Sequence, residues 1–164
     1  MRNLLLVRFG EIFLKGLNRP YFMKELVKKI RFAVKDVGGD VWLQDSRVFV
    51  SDYTDEEECI RRVTKVFGVH SVCPAVEMEK DDFNAICAQA SEMMEGMSGT
   101  FKVFARRSDK RYPMESNDMN KAIGGYVLAH NPNLKVDVHE PQHRLNVEIR
   151  VKAYLYVRVV PAVG

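Results

Sequence analysis

The chain has 164 residues, of which 46% are hydrophobic and 29% are charged, so it can bury an ordinary core and lacks the composition of a disordered protein. Its formal net charge at pH 7 is only +3, which excludes a uniformly basic nucleic-acid-binding protein and leaves local patches as the source of any affinity for anions. Its three cysteines lack CxxC spacing, so we expect buried thiols rather than a zinc site or a redox pair. The apolar run at residues 4–7 is too short for a signal peptide or a membrane span, so we expect a cytoplasmic protein with no membrane contact.

The first elements are a buried strand and an amphipathic helix. Residues 4–7 form a continuous apolar run, which is typical of a strand that is covered on both faces. After Pro20, apolar residues recur at helical spacing and most lysines lie off that stripe. The pattern predicts a helix that ends at Gly38 and Gly39.

The next elements complete a ferredoxin-like order. Residues 41–43 and 48–51 predict a hairpin, and a capping-box motif that begins at Thr54 predicts a second helix. The apolar face of this helix is predicted to consist of Ile60, Val63, Val66 and Phe67. Residues 69–78 supply a further strand. The order strand, helix, strand, strand, helix, strand is the split βαβ arrangement, which we predict for residues 1–76.

The second half restarts with a helix for which Asp81 and Asp82 are predicted as caps. A short alternating strand follows, and Ser116 is predicted to cap another helix. The alternating segments 145–149 and 155–159 predict a half-buried hairpin at the end of the chain. These elements predict a second α/β module.

The most distinctive stretch is residues 101–113, where the alternating strand runs into a cluster of cations. Residues 101–111 contain five positive charges and the single acid Asp109, which gives a local net charge of +4. A strand would hold these cations in fixed places, which favours contact with phosphates. Tyr112 is expected to be exposed and to stack on a base. A solvated basic loop is the alternative, and this stretch does not decide between the two.

A second candidate for phosphate binding is the loop at residues 10–20. Lys15, Asn18 and Arg19 lie just ahead of a helix N-terminus, where backbone N–H groups attract anions. Glu11 disfavours a phosphate cradle, and a structural turn is the simpler interpretation.

Patterns typical of a catalytic or metal site are weak. His139 and His143 have the spacing of a helical metal pair, but Pro141 lies between them and argues against a helix. Neither a nucleophile with a base nor a reactive-cysteine context is recognisable. We therefore expect a binding module with no metal.

Two stretches resemble the N-terminal part of the tRNA 4-thiouridine synthetases, also called tRNA uracil sulfurtransferases: VRFGEIFLKGLNRPYF, residues 7–22, and FKVFARRSDKRYPMESNDMNKAIG, residues 101–124. The resemblance spans the whole chain. It implies a ferredoxin-like domain at residues 1–76, a THUMP domain at residues 77–160 and the start of a linker at residues 161–164. THUMP domains are shared by thiouridine synthases, RNA methyltransferases and pseudouridine synthases.

The resemblance also implies a function. In that family the THUMP domain grips the acceptor end of tRNA, and a following ATP-pyrophosphatase domain makes 4-thiouridine and can supply sulfur for the thiazole of thiamine. That domain begins with a Ser-Gly-Gly phosphate loop, which this chain does not reach, so we expect neither catalytic residues nor a cofactor in this segment. For the catalytic domain the resemblance implies ATP and Mg²⁺, a cysteine desulfurase as persulfide donor, and two enzyme copies acting on one tRNA.

The candidate RNA-binding residues combine the two cationic stretches with neighbouring polar groups. Arginine and lysine would neutralise phosphates, and asparagine would hydrogen-bond sugar or phosphate. The candidates are Lys102, Arg106, Arg107, Lys110, Arg111, Asn117, Asn120, Lys121, Arg144, Arg150, Lys15, Asn18 and Arg19.

Two alternative functions remain open on the sequence. One is a ferredoxin-like regulatory or scaffolding protein that binds a small anion or dimerises through sheet edges. The other is the THUMP module of a different RNA-modifying enzyme. Salt-insensitive binding of a metabolite without tRNA binding would favour the first.

Overall fold

The computed structural model describes residues 1–10 and 19–162, and these residues form two compact units of mixed helix and strand. The N-terminal unit comprises residues 3–10, 19–75 and 158–162, and the C-terminal unit comprises residues 1–2 and 76–157. The elements are, in chain order, β1 (Arg2–Phe9), α1 (Arg19–Val34), β2 (Gly38–Gln44), β3 (Arg47–Tyr53), α2 (Glu56–Val63), β4 (Val69–Met78), α3 (Phe83–Met93), β5 (Gly99–Arg107), α4 (Ser116–His130), β6 (Leu134–Val136), β7 (His143–Ile149), β8 (Ala153–Tyr156) and β9 (Val160–Pro161).

The N-terminal unit has the predicted ferredoxin-like order. Its strands follow the spatial order β2-β3-β1-β4, and β9 pairs with β4. The pairs β1 with β3 and β2 with β3 are antiparallel. Alternate residues of β1, such as Leu5 and Val7, share a core with Leu26 and Ile30 of α1 and with Ile60 of α2. The two helices therefore cover one face of this sheet.

The predicted hairpin in this unit is confirmed, and its turn has a clear local cause. Asp45 and Ser46 connect the paired residues Gln44 and Arg47, and both have positive φ angles, 52° and 61°. A two-residue turn of this kind matches the twist of the strands, and aspartate tolerates the left-handed region better than most residues.

Gly39 is required by close contact rather than by the end of a helix. The sequence predicted that Gly38 and Gly39 end α1, which is wrong: α1 ends at Val34 and both glycines begin β2. Gly39 has a φ of 79°, and a Cβ added there would lie 1.6 Å from the carbonyl oxygen of Ser51 on β3. Only glycine fits so close to the neighbouring strand.

α2 is shorter than predicted. Its N-cap is Asp55, whose carboxylate accepts a hydrogen bond from the amide of Glu58 at 3.1 Å, so the predicted start at Thr54 is wrong by one residue. The helix ends at Val63, and Phe67 beyond it is 77% exposed. The prediction that Phe67 belongs to the buried face is therefore wrong.

The C-terminal unit contains the end of β4 and a sheet in the order β4-β8-β7-β5-β6. β5 is parallel to both β6 and β7, whereas β7 and β8 are antiparallel. Both α3 and α4 pack on the same face of this sheet, where Ile86 of α3 and Ile123 of α4 meet Val103 and Val147 in one core. Of the two predicted caps of α3, Asp82 is confirmed, since it accepts a hydrogen bond from the amide of Ala85 at 3.1 Å, and Asp81 is not the cap.

Two local predictions for this unit are wrong. Ser116 is the first residue of α4 rather than its cap, and Glu115 before it makes no side-chain cap hydrogen bond. β8 is not half-buried, because its tyrosines are buried together with its apolar residues. The hydroxyl of Tyr154 donates to Glu77 at 2.9 Å and that of Tyr156 donates to Glu148 at 2.6 Å. These hydrogen bonds make burial of the phenols possible.

Candidate nucleic-acid interface

The face of the C-terminal sheet away from α3 and α4 carries a row of cations. Alternation along β5 sends Val103 and Ala105 into the core and turns Lys102 and Arg106 to the opposite face. The parallel register places Lys102 beside Arg144 of β7. Arg150, just beyond β7, lies on the same face as judged by its ion pair with Glu148. We call Lys102, Arg106, Arg144 and Arg150 the cationic face.

Phe104 organises two of these cations. The ammonium of Lys102 lies 4.6 Å from the centroid of the Phe104 ring, and the guanidinium carbon of Arg144 lies 5.0 Å from it. Contacts of this kind attract each cation to the ring and are worth about 0.5–1 kcal/mol at exposed sites. The ring thus holds two positive charges close together despite their mutual repulsion.

A buried carboxylate lies between the other two cations. Glu148 is 7% exposed, and its carboxylate is 3.6 Å from Nη2 of Arg106 and 3.5 Å from Nε of Arg150. The hydroxyl of Tyr156 donates to the same carboxylate at 2.6 Å and lies 3.5 Å from Nη2 of Arg106. Arg106 nevertheless remains exposed.

Arg107 faces its own loop rather than the cationic face. Its Nη1 atom donates to the carbonyl oxygens of Lys110 at 2.9 Å and Tyr112 at 2.8 Å, and its side chain is only 19% exposed. Glu115 lies 4.0 Å away. Arg107 therefore closes the basic loop, and its guanidinium is directed at the carbonyl oxygens of that loop.

The two other loop cations differ from each other. Arg111 is 91% exposed, but its guanidinium donates to both carboxylate oxygens of Asp109 at 3.0–3.2 Å. The side-chain hydrogen bonds from Arg111, with a further one from its amide, lower the pKa of Asp109 to about 2. The Asp109–Arg111 pair is therefore ionised at neutral pH. Lys110 is exposed and points its charge to solvent.

Tyr112 does not form a stacking platform, so that prediction is wrong. Its side chain is 8% exposed and belongs to the core of the C-terminal unit. Its hydroxyl donates to the carbonyl oxygen of Lys80 at 2.9 Å, and burial raises its pKa. The apolar ring can pack in the core because the hydroxyl has a hydrogen-bond acceptor there.

The candidates on α4 divide between structure and surface. The side chain of Asn120 accepts a hydrogen bond from the amide of Ala105 at 2.8 Å and thereby joins α4 to β5. Asn117 and Lys121 are exposed. Because α4 packs on the core side of the sheet, these two residues and the cationic face lie on different sides of β5.

In the N-terminal unit, Lys15 and Asn18 lie outside the described residues, and Arg19 is the first residue of α1. Of the described candidates, four form the cationic face. Lys110, Arg111, Asn117 and Lys121 are exposed on the loop and on α4. Arg19, Arg107 and Asn120 belong to neither set. Sequence reasoning did not give Glu148 a structural role. The available signal was its place between Arg144 and Arg150 in the alternation of β7.

The three cysteines are free and buried, as predicted. Burial raises the pKa of the Cys59 thiol to about 11 and also raises that of Cys87. Among residues 1–10 and 19–162, no group of three histidine, cysteine, aspartate or glutamate side chains could hold a metal ion. Within the same part of the chain, no helix combines the length and the apolar character needed to cross a bilayer.

Comparison with known families accounts for both units. Residues 4–73 match the ThiI ferredoxin-like domain family, and residues 79–158 match the THUMP domain family. The chain therefore contains a ThiI ferredoxin-like domain followed by a THUMP domain. The resemblance noted in the sequence is confirmed, and the cationic face lies within the THUMP domain.

Curated relatives and solved structures agree with this assignment. The chain is 42% identical over 172 residues to a probable tRNA sulfurtransferase of Alkaliphilus metalliredigens, and it spans 43% of the length of that relative. It matches a 4-thiouridine synthetase solved in complex with RNA and with bound ATP at 26% identity and a TM-score of 0.83, over 99% of this chain and 42% of that one. A Pyrococcus horikoshii protein gives 26% identity and a TM-score of 0.82, over 99% of this chain and 56% of that one.

Proposed function

We propose that this chain is the tRNA-docking part of a tRNA sulfurtransferase that makes 4-thiouridine, and that the THUMP domain holds the acceptor end of the tRNA. The observation that carries the proposal is the cationic face, where four basic side chains share one side of a sheet next to an aromatic ring. Relatives that are named tRNA sulfurtransferases and a structural neighbour that was solved with RNA support it.

Binding would rest mainly on phosphate contacts. Lys102, Arg106, Arg144 and Arg150 present ammonium and guanidinium groups on one surface, and such groups fix the register of a nucleic acid without reading its sequence. Lys110, Arg111, Asn117 and Lys121 would form a second contact, as would Lys15, Asn18 and Arg19 in the other domain. In this proposal Arg107 and Asn120 contribute by holding the loop and α4 in place.

The remaining features of the function concern the whole protein. The chain spans less than half of the curated sulfurtransferases that it matches, so thiolation, ATP and Mg²⁺ use, and sulfur supply from a cysteine desulfurase are proposed for a domain outside it. A role in thiamine thiazole synthesis, pairing of two copies on one tRNA and a cytoplasmic location are proposed on the same basis. The proposed domain limits are residues 1–76 and 77–160, with a linker from residue 161.

A filter-binding titration of transcribed tRNA over a range of salt concentrations tests the proposal. Affinity should fall linearly on a log–log plot with salt, because each neutralised phosphate releases a counterion. The double substitution Lys102→Gln with Arg144→Gln should weaken binding and lower the salt slope by about 2, one for each lost phosphate contact. A tRNA that lacks its terminal CCA should bind less tightly.

The matched control is Lys35→Gln with Lys65→Gln, which removes the same charge from exposed positions of the ferredoxin-like domain. Equal loss in both double variants would show that only net charge matters and would contradict the proposed interface. Failure of the wild-type chain to bind tRNA at low salt, together with tight and salt-insensitive binding of a small anion, would favour the regulatory alternative.

A further inference from the structure

We propose that Glu148 is a positioning residue: with Tyr156 it holds Arg106 and Arg150 at a fixed separation on the cationic face, so that the two guanidinium groups can receive neighbouring phosphates. This inference rests on the proposed tRNA-docking function. In this role Glu148 organises the two arginines and need not itself touch the RNA.

The sheet brings the four residues together. Arg106 of β5 is the register partner of Glu148 on β7, and Arg150 follows Glu148 two residues later. Tyr156 comes from β8, on the other side of β7. Three neighbouring segments thus converge on one carboxylate, which only a correctly paired sheet achieves.

The two carboxylate oxygens have different partners. Oε2 accepts the 2.6 Å hydrogen bond from Tyr156 and faces Arg106 at 3.6 Å, whereas Oε1 faces Arg150 at 3.5 Å. Because the phenol fixes the carboxylate, each oxygen attracts one guanidinium from a defined direction. A carboxylate this deeply buried favours nearby cations strongly, since it has little water to compensate its charge.

Arg106 and Arg150 lie farther from their carboxylate partner than Arg111 does from its own. Arg111 is joined to Asp109 through three contacts of 3.0–3.2 Å, which direct its fork at a carboxylate. The ion pairs of Arg106 and Arg150 with Glu148 are longer than hydrogen bonds at 3.6 and 3.5 Å. A guanidinium carries five N–H donors, so an arginine that is attracted but not clamped can still bind a phosphate through two of them.

Charge counting and positioning give opposite expectations for Glu148→Gln. The substitution removes one negative charge from the interface, so charge counting predicts tighter binding of tRNA. Positioning predicts weaker binding, because the two guanidinium groups lose the anion that orients them. The sign of the change therefore distinguishes the two accounts.

The experiment compares tRNA affinity and its salt dependence for the 164-residue chain and three variants. Glu148→Gln should bind about tenfold more weakly, the factor that corresponds to ~1.4 kcal/mol or roughly one charge-assisted hydrogen bond. Its salt slope should be lower by about 1. Glu95→Gln makes the same charge change at an exposed position of the same domain and should bind like the wild type or slightly more tightly.

Tyr156→Phe keeps every charge and removes the hydroxyl that fixes the carboxylate. It should weaken binding in the same direction by a smaller factor, and it remains informative if Glu148→Gln does not fold by circular dichroism. If the wild type binds tRNA and both Glu148→Gln and Tyr156→Phe bind like Glu95→Gln, the positioning role is overturned while the docking function stands. If the wild type does not bind tRNA, the proposed function fails and this role fails with it.

Discussion

Replacement of Arg107 tests whether the basic loop is a structural device or a direct phosphate site. Nη1 of Arg107 donates two hydrogen bonds to loop carbonyls, at 2.9 and 2.8 Å, from a side chain that is mostly buried. A hydrogen bond that involves a charged group contributes about 1.5–3 kcal/mol, and two bonds that share one donor atom are not additive, so we expect Arg107→Ala to cost about 2 kcal/mol. For a chain of this length that corresponds to a fall in melting temperature of about 4–8 °C.

Thermal unfolding followed by far-ultraviolet circular dichroism measures this effect. Trp42 is the only tryptophan and lies in the ferredoxin-like domain, so its fluorescence would not report directly on the loop. The matched control is Lys110→Ala, which removes the same charge from an exposed side chain and should change stability by no more than about 0.5 kcal/mol. Arg107→Lys keeps the charge, but its side chain is one bond shorter and its ammonium cannot reach the position of Nη1, so it should lose much of the same stability.

The reasoning would be refuted by a normal melting temperature in Arg107→Ala combined with a loss of tRNA affinity that Arg107→Lys restores. That result would mean that Arg107 acts as an exposed positive charge. The structure instead predicts that Lys110→Ala lowers tRNA affinity at constant stability, whereas substitutions of Arg107 lower both.

Three further predictions concern titratable groups. Asp109→Asn should release Arg111 and tighten tRNA binding by roughly two- to fivefold at low salt, the range expected for a surface ion pair; unchanged affinity would show that Arg111 does not contact RNA. In the wild type, an NMR titration should give the Asp109 carboxyl a pKa of about 2 rather than its ordinary 3.8. Any stability that this ion pair contributes is therefore complete above about pH 4 and is lost as the pH falls through 2. At pH 8 the three cysteines should resist Ellman's reagent until denaturant is added, because they are buried and the pKa of Cys59 is raised to about 11; rapid labelling of the native protein would contradict this.

Features with local causes were predictable from the sequence. The cap at Asp82 depends on a side chain and an amide three residues apart, and the strand at residues 69–78 follows from its own composition. The alternation of residues 101–105 is sufficient to place Lys102 on the side of β5 away from the core.

Features whose causes lie far along the chain were not predictable. The buried hydroxyl of Tyr112 donates a hydrogen bond to a carbonyl oxygen 32 residues earlier, and that of Tyr156 donates to Glu148 on the neighbouring strand. A single sequence shows a tyrosine but not the partner that decides whether its ring is exposed. β6 was missed for a similar reason, since a three-residue strand has almost no pattern of its own and exists through pairing with β5.

The partners of the loop cations were also invisible to sequence reasoning. A count of charges in residues 101–111 treats Arg106, Arg107 and Arg111 as equivalent. In the structure one faces a buried carboxylate, one closes a loop and one is paired with Asp109. Charge content indicated the region of the candidate interface, and geometry separates the exposed cations in it from the cations that are already paired within the protein.

The hydrogen bond between Asn120 and Ala105 gives α4 a fixed axial position along β5. Apolar packing alone would tolerate small sliding of a helix over a sheet, because one set of van der Waals contacts is replaced by a similar set. A short amide side chain that reaches one backbone proton allows a single offset. The exposed side chains of α4 therefore keep a constant distance from β5.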